Sequence, residues 1–394
     1  MSMSMRILHY DHAAYFRRDR AATLAAIERV LERGNPVMGP EVAEFEAAFA
    51  ALCGVQHAVG TMSGSSAMLL GLKALGVGPG DDVVTVANSD IPTTHAILHA
   101  GARPVYADVD PATFLMDPEA LARALTPRTK AVLPVHLYGV VADMDAIGAV
   151  ARDHGAKVLE DACLATGARY RGRMAGALGD VGAFSTAPGK MLGGVGSGGV
   201  VTTDDDEVHE RLGQLRYYGR AKSPYPGAER DVAALPGATV QVGYNERLDT
   251  IDAAVLLVRL KRLAGDIAAR RERRARYVEH FAGSAVAPQA ETPGSESVWR
   301  VAVVRVPERD RVYGALRRQG IEVTLPYLPA NHLDVCTRDL GYHRGDLPAT
   351  EAFCDEMMAL PCHPFLELEA IDEVAEAVLA AVGGHASSAT VRRG

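Results

Sequence analysis

The chain has 394 residues, 48% apolar and 23% charged, the proportions of a globular protein with enough apolar side chain for a large core. A formal net charge of −8 argues against a surface built to neutralise nucleic-acid phosphates or an anionic membrane. The opening "MSMSMRILHYDHAAYFRRDR" lacks the basic-then-apolar pattern of a signal peptide, and no stretch has the length of a membrane span. Cys53, Cys163, Cys336, Cys354 and Cys362 show neither CxxC nor CxxH spacing, which points to reduced thiols rather than disulfides or a metal site. A cytoplasmic location is expected.

Two helical patterns come first, "RAATLAAIERVLERG" and "GPEVAEFEAAFAALCG", the second with Val42, Phe45, Phe49 and Leu52 at helical spacing. From about residue 56 to 160, short β-rich runs alternate with helical ones, the βαβ layout of a mainly parallel sheet flanked by helices. The strands read "QHAVGTM", "DDVVTVA", "RPVYADV", "KAVLPVH" and "AKVLED". Between them lie the helical "SAMLLGLKALG", "PTTHAILHAG", "DPEALARAL" and "DMDAIGAVARDHG", three of which stop at or just before a glycine. A strand-like "GAFST" and a glycine-rich stretch follow, then a long periodic run from Asn245 to about Arg271 that is placed to bridge two lobes. Beyond it "SVWRVAVVRV", "RDRVYGALRRQG" and "IEVTLPYL" read as strand, helix and strand, and "ATEAFCDEMMAL" and "EAIDEVAEAVLAAV" as helices. The expected organisation is a large α/β domain over 1–260, a small α+β domain over 261–383 and a polar, disordered tail over 384–394.

Three places carry chemistry. In "TMSGSSAMLLGL" a strand gives way to Ser63, Gly64, Ser65 and Ser66 and then a helix, whose unpaired N–H groups and hydroxyls offer a seat for a phosphate as readily as a plain N-cap. In "AKVLEDACLATGA" Asp161 stands where a buried strand runs out, at the edge where ligands gather in open parallel sheets, with Glu160 pointing to the opposite face. In "AFSTAPGKMLGGVGSGG" Lys190 follows Ser185 by five residues and has no charged neighbour nearer than Asp180 and Asp204. A lysine in an apolar, glycine-lined place has its ammonium form disfavoured and can attack a carbonyl as the free amine. The glycines after it are expected to let the backbone turn tightly beside a ligand. A phosphate seat, an acid at a strand end and a lysine beyond it, in this order, match the needs of pyridoxal phosphate.

With those residues in view, the chain resembles the DegT/DnrJ/EryC1/StrS aminotransferases, pyridoxal phosphate enzymes of fold type I. The matching motifs are "GVGPGDDVVTV", "AGARPVYADVD", "PVHLYGVVADMDAI", "EDACLATGA", "GDVGAFSTAPGKMLGGVGSGGVVTT", "GYNERLD" and "LPCHP". The resemblance implies that Lys190 is the Schiff-base lysine and that Asp161 partners the pyridinium nitrogen. It implies that Ser65, Ser66 and Ser185 hold the phosphate, and that Asn245 reaches the cofactor of a neighbouring subunit in a homodimer with shared sites. His332, Tyr327 and Arg220 fall in segments that approach substrate, and Arg216, Lys222 and Arg230 surround a segment that either contacts a nucleotide diphosphate or is a solvated loop. Two positions depart from the family pattern. Asp90 stands where an aromatic residue usually stacks on the pyridine ring, and Leu164 where a glutamine is usual.

The activity implied is amino transfer from glutamate or glutamine to a keto-sugar, nucleotide-linked, or to a keto-cyclitol, with pyridoxamine phosphate formed in the half-reaction, in amino-sugar or antibiotic biosynthesis. Lysine at 190, rather than histidine, separates the chain from the family's deoxysugar dehydratases. An aminohydroxybenzoate-synthase-like dehydratase and a non-catalytic phosphosugar- or cofactor-binding protein are the competing readings.

Overall fold

The computed structural model describes residues 5–34, 36–221 and 238–383. The tail 384–394 and Lys222 and Arg230 therefore lie outside the described residues.

Two helices, α1 (His12–Arg33) and α2 (Pro40–Cys53), lead into the alternating block: β1 (His57–Thr61), α3 (Gly64–Ala74), β2 (Asp82–Val86), α4 (Ile91–Ala100), β3 (Arg103–Ala107), α5 (Pro118–Ala124), β4 (Thr129–Val132), α6 (Met144–His154) and β5 (Lys157–Asp161). The short β6 (Arg169–Tyr170) and β7 (Arg173–Met174) precede β8 (Val181–Ser185), β9 (Gly199–Thr203) and α7 (Asp206–Leu215). Val42, Phe45 and Phe49 line the buried face of α2 as their spacing requires, and left-handed glycines at 34, 54, 101 and 155 end α1, α2, α4 and α6.

One seven-stranded sheet runs in the order β1-β9-β8-β5-β4-β2-β3. All neighbours pair in parallel except β9, which is antiparallel to both β1 and β8. Two antiparallel pairings in succession cancel, so β1 and β8 point the same way. The carboxyl ends of β1, β2, β5 and β8 therefore share one edge, and the α3 start, the α4 start, Asp161, Ser185 and the β8–β9 connection carrying Lys190 all gather there.

The run from Asn245 to Arg271 is not continuous. It contains α8 (Thr250–Leu260) and α9 (Leu263–Phe281), separated at Lys261 and Arg262, with Asn245 in the extended segment before them. After β10 (Ala287–Pro288) and β11 (Ser295–Glu296) come β12 (Ala302–Arg305), α10 (Arg309–Arg318), α11 (Pro348–Glu356), β13 (Met357–Leu360) and α12 (Leu368–Gly383). Two sequence expectations fail here. "ATEAFCDEMMAL" is helical only to Glu356, after which Met357–Leu360 pair antiparallel with β12. "IEVTLPYL" makes only isolated bridges, Ile321 to Ile7 and Thr324 to Ala359. A short apolar run has no period of its own, and the edge it pairs with decides its state.

A second core gathers Tyr277, Phe281, Val304, Leu316, Met358 and Val378 with Ile7 from the chain's beginning. All five cysteines are unpaired, and only Cys336 is exposed. Among the described residues no helix is long and apolar enough to cross a membrane.

Candidate active site

At the carboxyl edge of the sheet lies a cavity of about 180 Å³ lined by Ser63, Gly64, Ser65, Asp90, Asp161, Leu164, Ser185, Lys190 and Tyr327 among others. Its floor is set by strand register, since Asp161 on β5 pairs with Ala183 on β8, two residues before Ser185. Thr93, in the first turn of α4, donates to Asp161 Oδ2 at 2.8 Å, and the Cys163 N–H donates to Oδ1 at 3.1 Å. Both contacts orient the carboxylate, and neither neutralises it.

The α3 start forms the opposite end. Ser63 is the N-cap, accepting from the Ser66 N–H at 3.0 Å, which leaves the N–H groups of Gly64 and Ser65 without a helical acceptor, as at any helix start. Glycine at 64 is a packing requirement. A Cβ there would lie 2.7 Å from Ser185 Cβ and 2.8 Å from Cys163 Sγ. The helix start is thereby drawn against the end of β8, and Gly64, Ser65 and Ser185 line the cavity together.

Lys190 occupies the turn after Gly189, a left-handed glycine, and its backbone N–H donates to Ala187 O at 3.1 Å. Burial holds its ammonium below the usual lysine value, helped by the Arg300 guanidinium and opposed by Cys163, Asp161 and Asp90. Asp90 precedes α4 without capping it, and its carboxyl faces the same cavity. Desolvation there pushes the Asp90 carboxyl up, with Lys190 opposing. Tyr327 closes the wall and stacks on Tyr138 with ring centroids 5.6 Å apart and planes 11° from parallel. Leu164 is a buried, apolar part of the lining.

Four of the expected site residues do not line this cavity. Ser66 is turned under it, donating its hydroxyl to Glu246. His332 is 1% exposed with Nε2 paired to Glu351 at 3.0 Å, packed between Tyr106 and Tyr342. That burial removes it from contact with a ligand in this cavity. Arg220 lies over the rings of Tyr217 and Tyr218, and Asn245 is exposed beside them, bridging to Tyr217.

Sequence reasoning missed Arg300, Thr93 and Glu246. Arg300 donates from Nε to Gly189 O at 3.1 Å, bracing the turn that carries Lys190. Its one signal is a lone base inside the apolar run "SVWRVAVV". Thr93 and Glu246 act through contacts 68 and 180 residues away in sequence, which no local pattern announces. The glycine run after Lys190 also has a different cause from the one expected: Gly193, Gly194, Gly196 and Gly198 do not have positive φ.

The donor set fits pyridoxal phosphate. Hydroxyls and helix-start N–H groups would meet the phosphate, a buried oriented carboxylate would meet the pyridine nitrogen, and an amine with a disfavoured charge would meet the aldehyde. When bound, this cofactor acts as an electron sink for charge developing on a substrate carbon.

The sheet, its edge and these donors define a pyridoxal phosphate-dependent transferase of fold type I. Residues 17–379 match the DegT/DnrJ/EryC1/StrS aminotransferase family, and the chain belongs to that family as an aminotransferase. It is 40% identical over 380 residues to a dTDP-3-amino-3,4,6-trideoxy-alpha-D-glucose transaminase of Micromonospora megalomicea subsp. nigra, covering 95% of this chain and 98% of that protein. The crystal structure of Streptomyces venezuelae DesV in complex with a ketimine intermediate superposes with a TM-score of 0.88 at 40% identity, covering 95% of this chain and 98% of that one. NtdA from Bacillus subtilis with bound cofactor PMP gives a TM-score of 0.83 at 28% identity over 93% of this chain and 82% of that one.

Proposed function

We propose that the chain transfers an amino group from glutamate or glutamine to a keto-sugar carried on a nucleoside diphosphate, in amino-sugar biosynthesis in the cytoplasm. The observation that carries this reading is the convergence of Lys190, Asp161, Ser65 and Ser185 on one cavity at the sheet's carboxyl edge. The nucleotide-sugar transaminase from Micromonospora, similar over nearly its whole length, supports the class of acceptor.

Each residue has a separable task. Ser65, Ser185 and the α3 start hold the phosphate. Asp161, kept in place by Thr93 and the Cys163 N–H, keeps the pyridine nitrogen protonated. Lys190 would hold the aldehyde end of the cofactor, and its amine would take a proton from the donor's α-carbon as general base and return one as general acid. Attack on the aldehyde and proton abstraction both need the free amine, and burial shifts Lys190 toward that form.

Asn245 is assigned to the site of a second copy of this chain. It is exposed on a segment whose next residue, Glu246, accepts from Ser66 at the α3 start. Met62, Val195, Tyr218 and Val242 are exposed large apolar residues of the segments around that edge, and Val242 is 90% exposed. An apolar rim round a polar site is what a partner subunit would cover.

The test is a half-reaction screen. Enzyme loaded with pyridoxamine phosphate is mixed with nucleotide-linked 3-keto- and 4-keto-sugars and keto-cyclitols, and return of the pyridoxal form is followed by visible absorbance. The reading expects return with a nucleotide-linked keto-sugar and none for Lys190→Ala. Undiminished turnover by Lys190→Ala, or an aromatic product formed without any amino donor, overturns it.

A further inference from the structure

Helix α8 carries an acid and a base seven residues apart, and both reach the glycine run that follows Lys190. Asp252 Oδ1 accepts from the Val195 N–H at 2.7 Å and from the Gly196 N–H at 3.3 Å. Arg259 donates to Gly194 O at 2.7 Å and also to Gly193 O. Four backbone groups in four successive residues, two donors and two acceptors, are thus satisfied by the side chains of one helix.

Gly194 and Gly198 make room for the Asp252 carboxylate. A Cβ on Gly194 would fall on the Asp252 carboxylate, and one on Gly198 would lie 3.0 Å from Asp252 Oδ2. On its other side the run touches the lysine turn, because a Cβ on Gly193 would lie 3.0 Å from Ala187 O and 3.4 Å from Lys190 O. The connection is closed by Thr186 N–H on Gly198 O at 2.8 Å and Gly194 N–H on Thr186 O at 2.6 Å. Asp252 Oδ2 and Thr186 Oγ1 are both buried without a hydrogen-bond partner among the described residues. A charged group held this way, 3% exposed with one oxygen unsatisfied, costs stability, and a residue kept for stability alone would not be a carboxylate here.

We propose that Asp252 and Arg259 are positioning residues that clamp Gly193–Gly196 and so hold the Lys190 amine in the cavity. The chain of contact runs from α8 to the glycine run, from the glycine run to the Ala187–Lys190 turn, and from that turn to the amine. Arg300 braces the same turn through Gly189 O. The clamp rests on the aminotransferase reading of Lys190, but its structural core can be tested without turnover.

The test compares Asp252→Ala, Asp252→Asn and Arg259→Gln with the parent chain. In the cofactor-free protein, amide hydrogen exchange over residues 191–198 is measured by mass spectrometry, along with the pH profile of Lys190 acylation by acetic anhydride. Asp252→Ala and Arg259→Gln are expected to speed exchange in that segment about tenfold or more, as local opening becomes easier. They are expected to move Lys190 labelling to higher pH, because an amine released toward water regains its ordinary basicity. In the loaded enzyme a displacement on the order of 1 Å lowers kcat roughly a hundredfold while KM for both substrates changes little. Asp252→Asn retains an acceptor for both N–H groups and is expected to restore the exchange and labelling profiles. If Asp252→Ala does not fold, Arg259→Gln carries the comparison, since it weakens the carbonyl contacts and leaves the Asp252 contacts to Val195 and Gly196 in place. Unchanged exchange and an unchanged labelling profile in a folded variant overturn the clamp. A Lys190→Ala chain that still turns over overturns the reading of Lys190 instead, and leaves the exchange result standing.

Discussion

Gly64→Ala separates close packing from helix propensity at the phosphate end of the cavity. Position 64 opens α3 with helical geometry, so alanine there gains about 1 kcal/mol of helix propensity over glycine. Against that, the new Cβ would stand 2.7 Å from Ser185 Cβ, 2.8 Å from Cys163 Sγ and 3.3 Å from Ser185 Cα, where carbon atoms need about 3.5–4.0 Å. The α3 start and the β8 end must part by about 1 Å, and overpacking of that kind costs about 1–3 kcal/mol. Net stability therefore falls by roughly 0–2 kcal/mol on those two opposing terms.

The effect on ligand is larger than the effect on stability. A hydrogen bond of about 2.9 Å stretched by about 1 Å is lost, and one bond to a charged group is worth about 1.5–3 kcal/mol. The dissociation constant for pyridoxal phosphate should rise about tenfold to a hundredfold, measured by absorbance titration of cofactor-free protein. Gly148→Ala, within α6 where a new Cβ meets nothing within 4 Å, is the control and should raise stability with no change in cofactor affinity. A Gly64→Ala chain that binds the cofactor as tightly as the parent and melts higher would refute the close-packing account of this site.

Thr93→Val removes the hydroxyl bonded to Asp161 Oδ2, which should cost about 1–3 kcal/mol in denaturant unfolding and lower kcat, while Thr93→Ser retains both. Lys190→Met removes a desolvated ammonium, so the cofactor-free variant should melt higher than the parent near neutral pH. Because the native amine binds its proton less tightly than the unfolded one, parent stability rises as pH climbs toward the ordinary lysine value and the variant's advantage shrinks, which a pH series of thermal melts reads directly. Burial pushes the Asp252 carboxyl up to about 6, opposed by the Val195 and Gly196 N–H groups and Arg259 and assisted by Asp249. The native state then holds a proton that the unfolded state has lost between about pH 4 and 6, so stability falls as pH rises through that window, by up to about 3 kcal/mol. Asp252→Asn should recover most of that at pH 8 and nothing at pH 4, and equal curves across the range would count against it.

How much was readable in advance follows the range of each contact. Asp161, Ser185 and the Ser63–Ser66 turn sit where a strand stops and a helix or turn starts, and such junctions leave a local trace in hydrophobic pattern and small residues. Parallel strand order then brings them to one edge without further information. Arg300, Thr93 and Glu246 reach the site from other elements, so their roles depend on packing that no window of sequence contains. His332 was misplaced for a related reason, since a histidine in a turn looks available until Glu351 and two tyrosine rings are found around it. The glycine run was visible, but its partner on α8 was not, so an expectation of tight turning stood where the structure has a buried carboxylate.

Glu160 and Asp161 show what the structure adds to residue type. They are neighbours on one strand, both buried, and strand alternation sends them to opposite faces. A carboxylate has about four acceptor sites. Glu160 fills them with the N–H groups of Gly176, Leu178 and Gly179, each at 2.7 Å, and with His136 Nε2 at 2.8 Å. His136 Nδ1 accepts from the Ala142 N–H, so the proton lies on Nε2 and the last bond is a donation to Glu160. Among the described residues Asp161 accepts from Thr93 Oγ1 and the Cys163 N–H, fewer donors than Glu160 has, and it lines the cavity. A saturated carboxylate fixes the end of β5, and an unsaturated one beside it is held rigid enough to select a ring N–H. Acceptor capacity left on Asp161, rather than acidity or burial, distinguishes it from Glu160 as the carboxylate suited to a ring N–H.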